Sequence, residues 1–295
     1  MTDSHPRNPG PSWGFALIRF FNRWTPEPIF GFLLHLGATV AVPLLPARAR
    51  ASRNFLSTVM DRPAAWADVR RHFIAFADFL VLRFRTAGGR PHQCVLDPEK
   101  AGDFMERVSG ADPLLFGTFH LGHSDLLGFW LTDFDRSIRM VRVRTGNSDD
   151  LKWLHQRYSG KVDFIWANDP ADIPFSIRDA IENGHSVAMK CDRTEFSSRT
   201  AIFDFLGLKC VFPVTIYHLS LLFRLPVILA FGLDDGFGGT RIVSLPAFVP
   251  GASERSEELE RAHLHFQRAL RLAEDIIRGD PCQWFNFEPL KHPTE

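Results

Sequence analysis

The segment from Leu114 to Trp130, reading LLFGTFHLGHSDLLGFW, constrains the fold of this chain more than any other. Its first part is a short apolar run rich in strand-forming residues, and apolar residues resume at helical spacing from Leu126. Polar side chains interrupt the pattern only between these two parts. The segment therefore predicts a strand that is followed by a helix, with His120 and Asp125 at the junction between them. In an α/β sheet that junction is where ligands bind.

The spacing of His120 and Asp125 suggests a chemical role. On a continuous helix, which turns ~100° per residue, these side chains would point apart, so they can meet only if His120 precedes the first turn. A helix N-terminus would keep Asp125 ionised, and the carboxylate could accept the proton of one imidazole nitrogen. The other nitrogen would then be free to act as a base. This interpretation makes His120 and Asp125 a general-base dyad.

Two other interpretations of the same residues remain open. In the first, Ser124 or Asp125 caps a helix and His120 is a packed, hydrogen-bonded histidine. In the second, His120, His123 and Asp125 bind a metal in a metal-dependent hydrolase. Such sites have two histidines one residue apart and then Asp-His, whereas here the histidines are three apart and Leu126 follows the aspartate. We therefore expect no metal and no other cofactor.

Apolar segments after this junction recur at the intervals of an α/β protein. They predict strands over Ser137–Arg144, Val162–Ala167, Ser186–Cys191, Val227–Gly232 and Thr240–Leu245, and helices over Asp149–Tyr158, Ile173–Asn183 and Glu257–Ile277. The predicted fold class is α/β, with a central, mostly parallel sheet flanked by helices. If the strands are parallel, His120, Arg144 and Asp192 follow strand ends that meet at one edge of the sheet.

The N-terminal part of the chain is apolar and predicted to be helical. The segment from Ile29 to Pro46 is close to the minimum length for crossing a bilayer, and prolines at its ends fit an interfacial or buried helix equally well. We expect a helical, membrane-associating region over residues 1–90 and an α/β core over residues 91–295, which together form one continuous domain.

Composition excludes some functions. The 34 basic and 34 acidic residues balance, which argues against a nucleic-acid binder that relies on overall positive charge. The four cysteines have neither C-x-x-C pairing nor metal-ligand spacing, as expected in a reducing compartment. The chain contains no G-x-S-x-G elbow, so a serine-hydrolase route lacks its usual signature.

The segment His120-Leu-Gly-His-Ser-Asp125 resembles the H-x-x-x-x-D/E signature of the lysophospholipid acyltransferase superfamily. Its setting is most similar to the lipid A biosynthesis (lauroyl/myristoyl) acyltransferase branch. Further similarities follow in the same order along the chain: Ala47 to Asn54, Val143 to Asn147, Lys190 to Asp192, Phe203 to Gly207 and Pro281 to Trp284. The branch usually has Asn-Trp-Glu in place of His123-Ser124-Asp125, and commonly a glutamine in place of Arg193.

The resemblance implies an enzyme that moves a fatty acyl group from acyl carrier protein or coenzyme A to a hydroxyl of a lipid A precursor. Acylation of another amphiphile in a specialised pathway is an alternative. The resemblance makes His120 the base and assigns Arg144, with Arg142 on the same strand face, to a phosphate of acceptor or donor. It suggests that Asp192 orients an active-site arginine or the acceptor. The implied location is the cytoplasmic face of the bacterial inner membrane, through peripheral attachment or a single anchor.

Overall fold

Helices whose bounds are fully described precede the sheet in the computed structural model, which describes residues 24–87, 90–143, 160–168, 172–194 and 199–285 together with residues 20, 158, 197, 287, 290 and 293. Their bounds are α1 Glu27–Leu44, α2 Pro46–Met60 and α3 Trp66–Ala87. Prolines at the starts of α1 and α2 suit the first helical turn, where the missing N–H has no intrahelical partner. Asp61, in the left-handed conformation, ends α2.

The centre of the molecule is a seven-stranded sheet with the order β1-β9-β8-β2-β5-β3-β4. Its strands are β1 Cys94–Leu96, β2 Leu115–Thr118, β3 Ile138–Arg142, β4 Val162–Trp166, β5 Ser186–Lys190, β8 Val227–Asp234 and β9 Thr240–Ser244. The five strands from β8 to β4 are parallel, and β9 turns back antiparallel to β8 with β1 parallel beside it. The predicted fold class, α/β with a mostly parallel sheet, is confirmed.

The remaining elements flank this sheet. A separate antiparallel hairpin is formed by β6 Thr200–Phe205 and β7 Leu208–Pro213. The α-helices among the other described residues are α4 Phe104–Val108, α5 Leu127–Trp130, α6 Ile173–Glu182, α7 Thr215–Phe223 and α8 Arg255–Gly279. The hairpin turns at Leu206 and Gly207, which both have positive φ, as in a two-residue turn of the primed type.

The five strands predicted after the junction are all present, with ends shifted by at most two residues. The helices predicted over Ile173–Asn183 and Glu257–Ile277 correspond to α6 and α8. The helix predicted over Asp149–Tyr158 lies outside the described residues except for its last residue, and so does Arg144.

Helices α2 and α3 share a core with the sheet. Phe55 and Leu56 of α2 and Phe73 of α3 belong to the same buried cluster as Phe231 of β8 and Phe266 of α8. Full burial of an aromatic side chain of this kind stabilises the fold by about 1.5–3 kcal/mol relative to leaving the side chain exposed. These two helices are therefore part of the folded unit that carries the sheet.

Helix α1 presents an apolar stripe to solvent. Its inner side rests on α3 and buries Phe30, Ala38 and Val42, and His35 pairs with Asp78 of α3. The residues of the outer stripe, each 38–71 % exposed, are Ile29, Phe32, Leu33, Leu36, Val40 and Leu44. Among the described residues α1 is the one helix long and apolar enough to cross a membrane, and it ends before Pro46.

Candidate active site

Strand register brings His120 and Asp192 together. Strands β2 and β5 are adjacent and parallel, with Thr118 opposite Lys190 at their carboxyl ends. His120 and Asp192 each follow two residues later, so they emerge side by side at this edge. The sequence prediction that these two residues converge is confirmed.

Two hydrogen bonds join this pair. The Nδ1–H of His120 donates to Oδ1 of Asp192 over 2.8 Å, and the backbone N–H of His120 donates to Oδ2 over 2.9 Å. The indole Nε1–H of Trp284 also donates to Oδ2, over 3.3 Å. The imidazole proton therefore lies on Nδ1, and Nε2 makes no hydrogen bond with any described residue. The His120 side chain is 28 % exposed, whereas the Asp192 side chain is fully buried.

The electrostatic setting keeps His120 neutral and Asp192 ionised. Burial lowers the pKa of His120 below its ordinary value of 6.5, although the carboxylate of Asp192 opposes that shift. Burial alone would raise the pKa of Asp192, but the positive charge of protonated His120, the charge of Arg193 and the hydrogen bonds from His120 hold it well below its usual range. Nε2 of His120 is therefore an unprotonated base near pH 7.

Asp125 does not orient His120, contrary to the sequence prediction. Its carboxylate contacts Nζ of Lys190 over 2.7 Å and Nη1 of Arg83 over 3.2 Å. Burial raises its pKa, but the charges of Lys190, Arg83 and Arg142 together outweigh that effect and hold the pKa well below the usual range. The reason is local geometry: residues 121–123 separate His120 from the short helical turn Ser124–Leu126, so Asp125 meets the ends of neighbouring elements instead.

Several cationic side chains surround Asp125 close to His120. Arg142 ends β3, and its guanidinium lies 5.3 Å from the ring centroid of Phe164 on β4. Lys190 also donates to the carbonyl of Phe119, one residue before His120, over 2.9 Å. Of the predicted site residues, His120, Asp125, Asp192 and Arg142 thus lie at one sheet edge, while Arg144 falls outside the described residues.

His123 is turned away from His120 toward β9. Its Nδ1 shares a 2.8 Å hydrogen bond with Oγ1 of Thr240, and its ring stacks on Phe79. Burial lowers its pKa to about 4. Since Asp125 is committed to two cations, the three residues of the metal-dependent alternative do not form a ligand set. Within the described part of the chain no group of three metal-ligating side chains converges.

The loop that carries His120 is fixed by backbone contacts. Gly122 adopts φ +51°, where a Cβ would lie 2.5 Å from the carbonyl oxygen of Gly232. The N–H of His123 donates to that same carbonyl over 2.7 Å, and the N–H of Phe285 donates to the carbonyl of His120 over 2.8 Å. Strand β8 and the C-terminal segment therefore hold the loop from two sides.

Sequence reasoning did not assign three of the residues at this site: Arg83, Lys190 and Trp284. Lys190 and Trp284 lie within segments that carry the family resemblance, which is a signal that could have pointed to them. Arg83 lies near the C-terminal end of α3 and has no local pattern that distinguishes it from other surface arginines. No protein-family model matches the chain, and no curated protein shows significant similarity to it.

Proposed function

We propose that this protein is an O-acyltransferase that moves a fatty acyl group from an acyl thioester, carried by acyl carrier protein or coenzyme A, to a hydroxyl of a lipid A precursor or similar amphiphile. One observation carries the proposal. His120 has its Nδ1 held by a buried carboxylate and its Nε2 without a partner among the described residues. That is the arrangement a general base requires, because one nitrogen is fixed and the other can accept a proton.

The proposed reaction proceeds in a ternary complex. Nε2 of His120 takes the proton of the acceptor hydroxyl while that oxygen attacks the thioester carbonyl carbon. A carbon–oxygen bond forms and the carbon–sulfur bond breaks, and the departing thiolate takes the proton from the imidazolium. Asp192 stabilises the imidazolium that forms between these two transfers. Alignment of base, hydroxyl and carbonyl supplies much of the acceleration in such a transfer.

The cations near the base suit a phosphorylated acceptor. Lys190, Arg83 and Arg142 all act on the carboxylate of Asp125, so three cationic side chains lie close to His120. Arginine offers two parallel N–H donors to two phosphate oxygens. Arg142, together with Arg144 further along the same segment, is proposed to bind the phosphate of the acceptor head group.

The outer stripe of α1 supports a membrane location for this reaction. Six apolar side chains face solvent along one side of that helix. An apolar stripe of this kind partitions into the boundary between head groups and acyl chains. We propose that the enzyme works at the cytoplasmic face of the bacterial inner membrane and takes its amphiphilic acceptor from the bilayer surface.

Lipid profiling of a deletion strain by mass spectrometry tests this proposal. We expect the strain to accumulate a lipid that lacks one fatty acyl ester. The wild-type gene should restore the complete lipid, whereas His120→Asn, expressed to the same level, should not. A profile that does not change on deletion, or full restoration by His120→Asn, would refute the proposal. The purified enzyme is then supplied with the accumulated lipid and acyl carrier protein or coenzyme A thioesters of several chain lengths to identify the donor.

A further inference from the structure

Two segments singled out by the sequence meet behind the candidate base, although the proposed reaction uses neither. Ser52 lies on α2 within the segment Ala47 to Asn54, and Trp284 lies in the C-terminal segment Pro281 to Trp284. His72 of α3 stands between them. All three are buried: Ser52 and His72 are fully buried, and Trp284 is 1 % exposed. A substrate therefore cannot reach any of them.

The hydrogen bonds of His72 have a defined direction. Its Nε2 lies 3.0 Å from the carbonyl oxygen of Trp284, which can only accept, so Nε2 carries the proton. Burial lowers the pKa of His72 to about 4, which keeps the ring neutral near pH 7. Nδ1 is therefore unprotonated, and it accepts the hydroxyl proton of Ser52 over 2.9 Å. Ser52 thus fixes the tautomer in which His72 donates to Trp284.

Packing holds the indole of Trp284 in one orientation. Phe55 of α2 meets it edge to face with ring centroids 5.0 Å apart, and Phe205 of β6 does so at 5.4 Å. The indole N–H is thereby aimed at Oδ2 of Asp192, whose Oδ1 holds His120. Hydrogen bonds therefore join Ser52 to His72 and His72 to the backbone carbonyl of Trp284, and the indole of the same tryptophan is joined through Asp192 to His120.

We propose that Trp284 is a positioning residue for the base, that it acts through the carboxylate of Asp192, and that the buried Ser52–His72 pair holds Trp284 in place. The inference rests on the proposed function for its catalytic meaning, but its structural content can be tested without substrate. The side chains are positioning residues because each acts on His120 through another group.

The charged groups around the base are the same in each variant used for the test. Asp192, Arg193 and Lys190 act on His120, and His120 and Arg193 act on Asp192. Lys190 is in turn paired with Asp125, which Arg83 also contacts. Trp284→Phe removes one neutral donor from Asp192 and leaves all of these groups in place.

The experiment measures the pKa of His120 by NMR in protein labelled at histidine ¹³Cε1, with the resonance assigned through His120→Asn. In Trp284→Phe the carboxylate loses a donor and becomes a stronger acceptor for the imidazolium, so we expect the pKa of His120 to rise. Phe104→Leu is the control, because Phe104 is fully buried in a separate cluster and does not contact Asp192. A His120 pKa that is the same in wild type, Trp284→Phe and Phe104→Leu would overturn the proposal.

Replacement of Trp284 by benzothienylalanine keeps the shape of the indole but has sulfur in place of the N–H, and it serves if Trp284→Phe does not fold. His72 offers a second comparison. His72→Gln retains an N–H donor for the Trp284 carbonyl, whereas His72→Leu does not. We expect the pKa of His120 to stay close to the wild-type value in His72→Gln and to change in His72→Leu. The same His120 pKa in both variants would show that His72 does not help to hold Trp284 in place.

Kinetics separate this proposal from the proposed function. Because Trp284 is out of reach of substrate, we expect Trp284→Phe to lower kcat by about tenfold, as for a hydrogen bond to a charged group, with KM little changed. A fall in kcat with no change in the His120 pKa would indicate a purely structural role and contradict the proposal. If no acyl transfer is found for any variant but the pKa of His120 changes, the positioning role of Trp284 is supported and the proposed function is refuted.

Discussion

Asp192→Asn is the sharpest test of which carboxylate serves the base. Oδ2 of Asp192 accepts two N–H groups, from the His120 backbone and the Trp284 indole, while Oδ1 accepts from Nδ1 of His120. In an asparagine the single oxygen is needed by the two donors at Oδ2, so the amide NH₂ faces the imidazole. Nδ1 must then lose its proton to accept from that NH₂. The proton moves to Nε2, and the ring can no longer accept a proton from substrate.

The size of the effect follows from this change of tautomer. Loss of a positioned general base lowers the rate by ~10²–10⁴-fold, and a wrong imidazole tautomer produces losses at the upper end of that range. This corresponds to about 2.7–5.4 kcal/mol of the activation barrier. Because asparagine is isosteric and keeps the two hydrogen bonds at Oδ2, we expect the variant to fold.

The assay compares initial rates of acyl transfer from a matched thioester for wild type, Asp192→Asn and Asp125→Asn, after melting curves have shown that each is folded. Asp125 contacts Lys190 and Arg83 and not the imidazole, so we expect Asp125→Asn to keep kcat within about tenfold of wild type. An inactive Asp125→Asn together with a nearly normal Asp192→Asn would refute the assignment of the dyad to His120 and Asp192.

Three further predictions concern other parts of the molecule. Because burial lowers the pKa of His120, kcat/KM should be constant near pH 7 and fall as the pH drops through a value below 6.5; a half-point above 6.5 in the pH–rate profile would contradict this. Leu36→Asp combined with Val40→Asp should shift the protein from liposomes to the soluble fraction in flotation assays, whereas Leu222→Asp, on an exposed position of α7, should not. Gly122→Ala should lower the free energy of unfolding, measured by denaturant, by on the order of 1–3 kcal/mol. Gly184→Ala is the control and should cost less, because Gly184 also has a positive φ but its Cβ would meet nothing within 4 Å. An equal loss of stability in both variants would show that the contact of the Gly122 Cβ with Gly232 costs nothing.

Periodicity in the sequence was sufficient to determine the fold class. The apolar runs that predict strands are found at β3, β4, β5, β8 and β9, since local residue preference and burial act in the same direction at those positions. The order of strands and helices also fixes the parallel arrangement, and with it the convergence of His120 and Asp192 at one edge. A strand end is a local feature, so its polar residue can be identified from the chain alone.

The partner of His120 was decided only by the tertiary structure. In sequence Asp125 is five residues from the histidine and Asp192 is seventy-two away, so a local pattern selects the nearer carboxylate. The register between β2 and β5 selects Asp192, because hydrogen bonding between these adjacent strands places Thr118 opposite Lys190. The residues two positions further along each strand, His120 and Asp192, are then next to each other. The contributions of Arg83 from α3 and of Trp284 from the C-terminal segment arise in the same way. Such contacts depend on how elements far apart in the chain pack together, which no local pattern of residues contains.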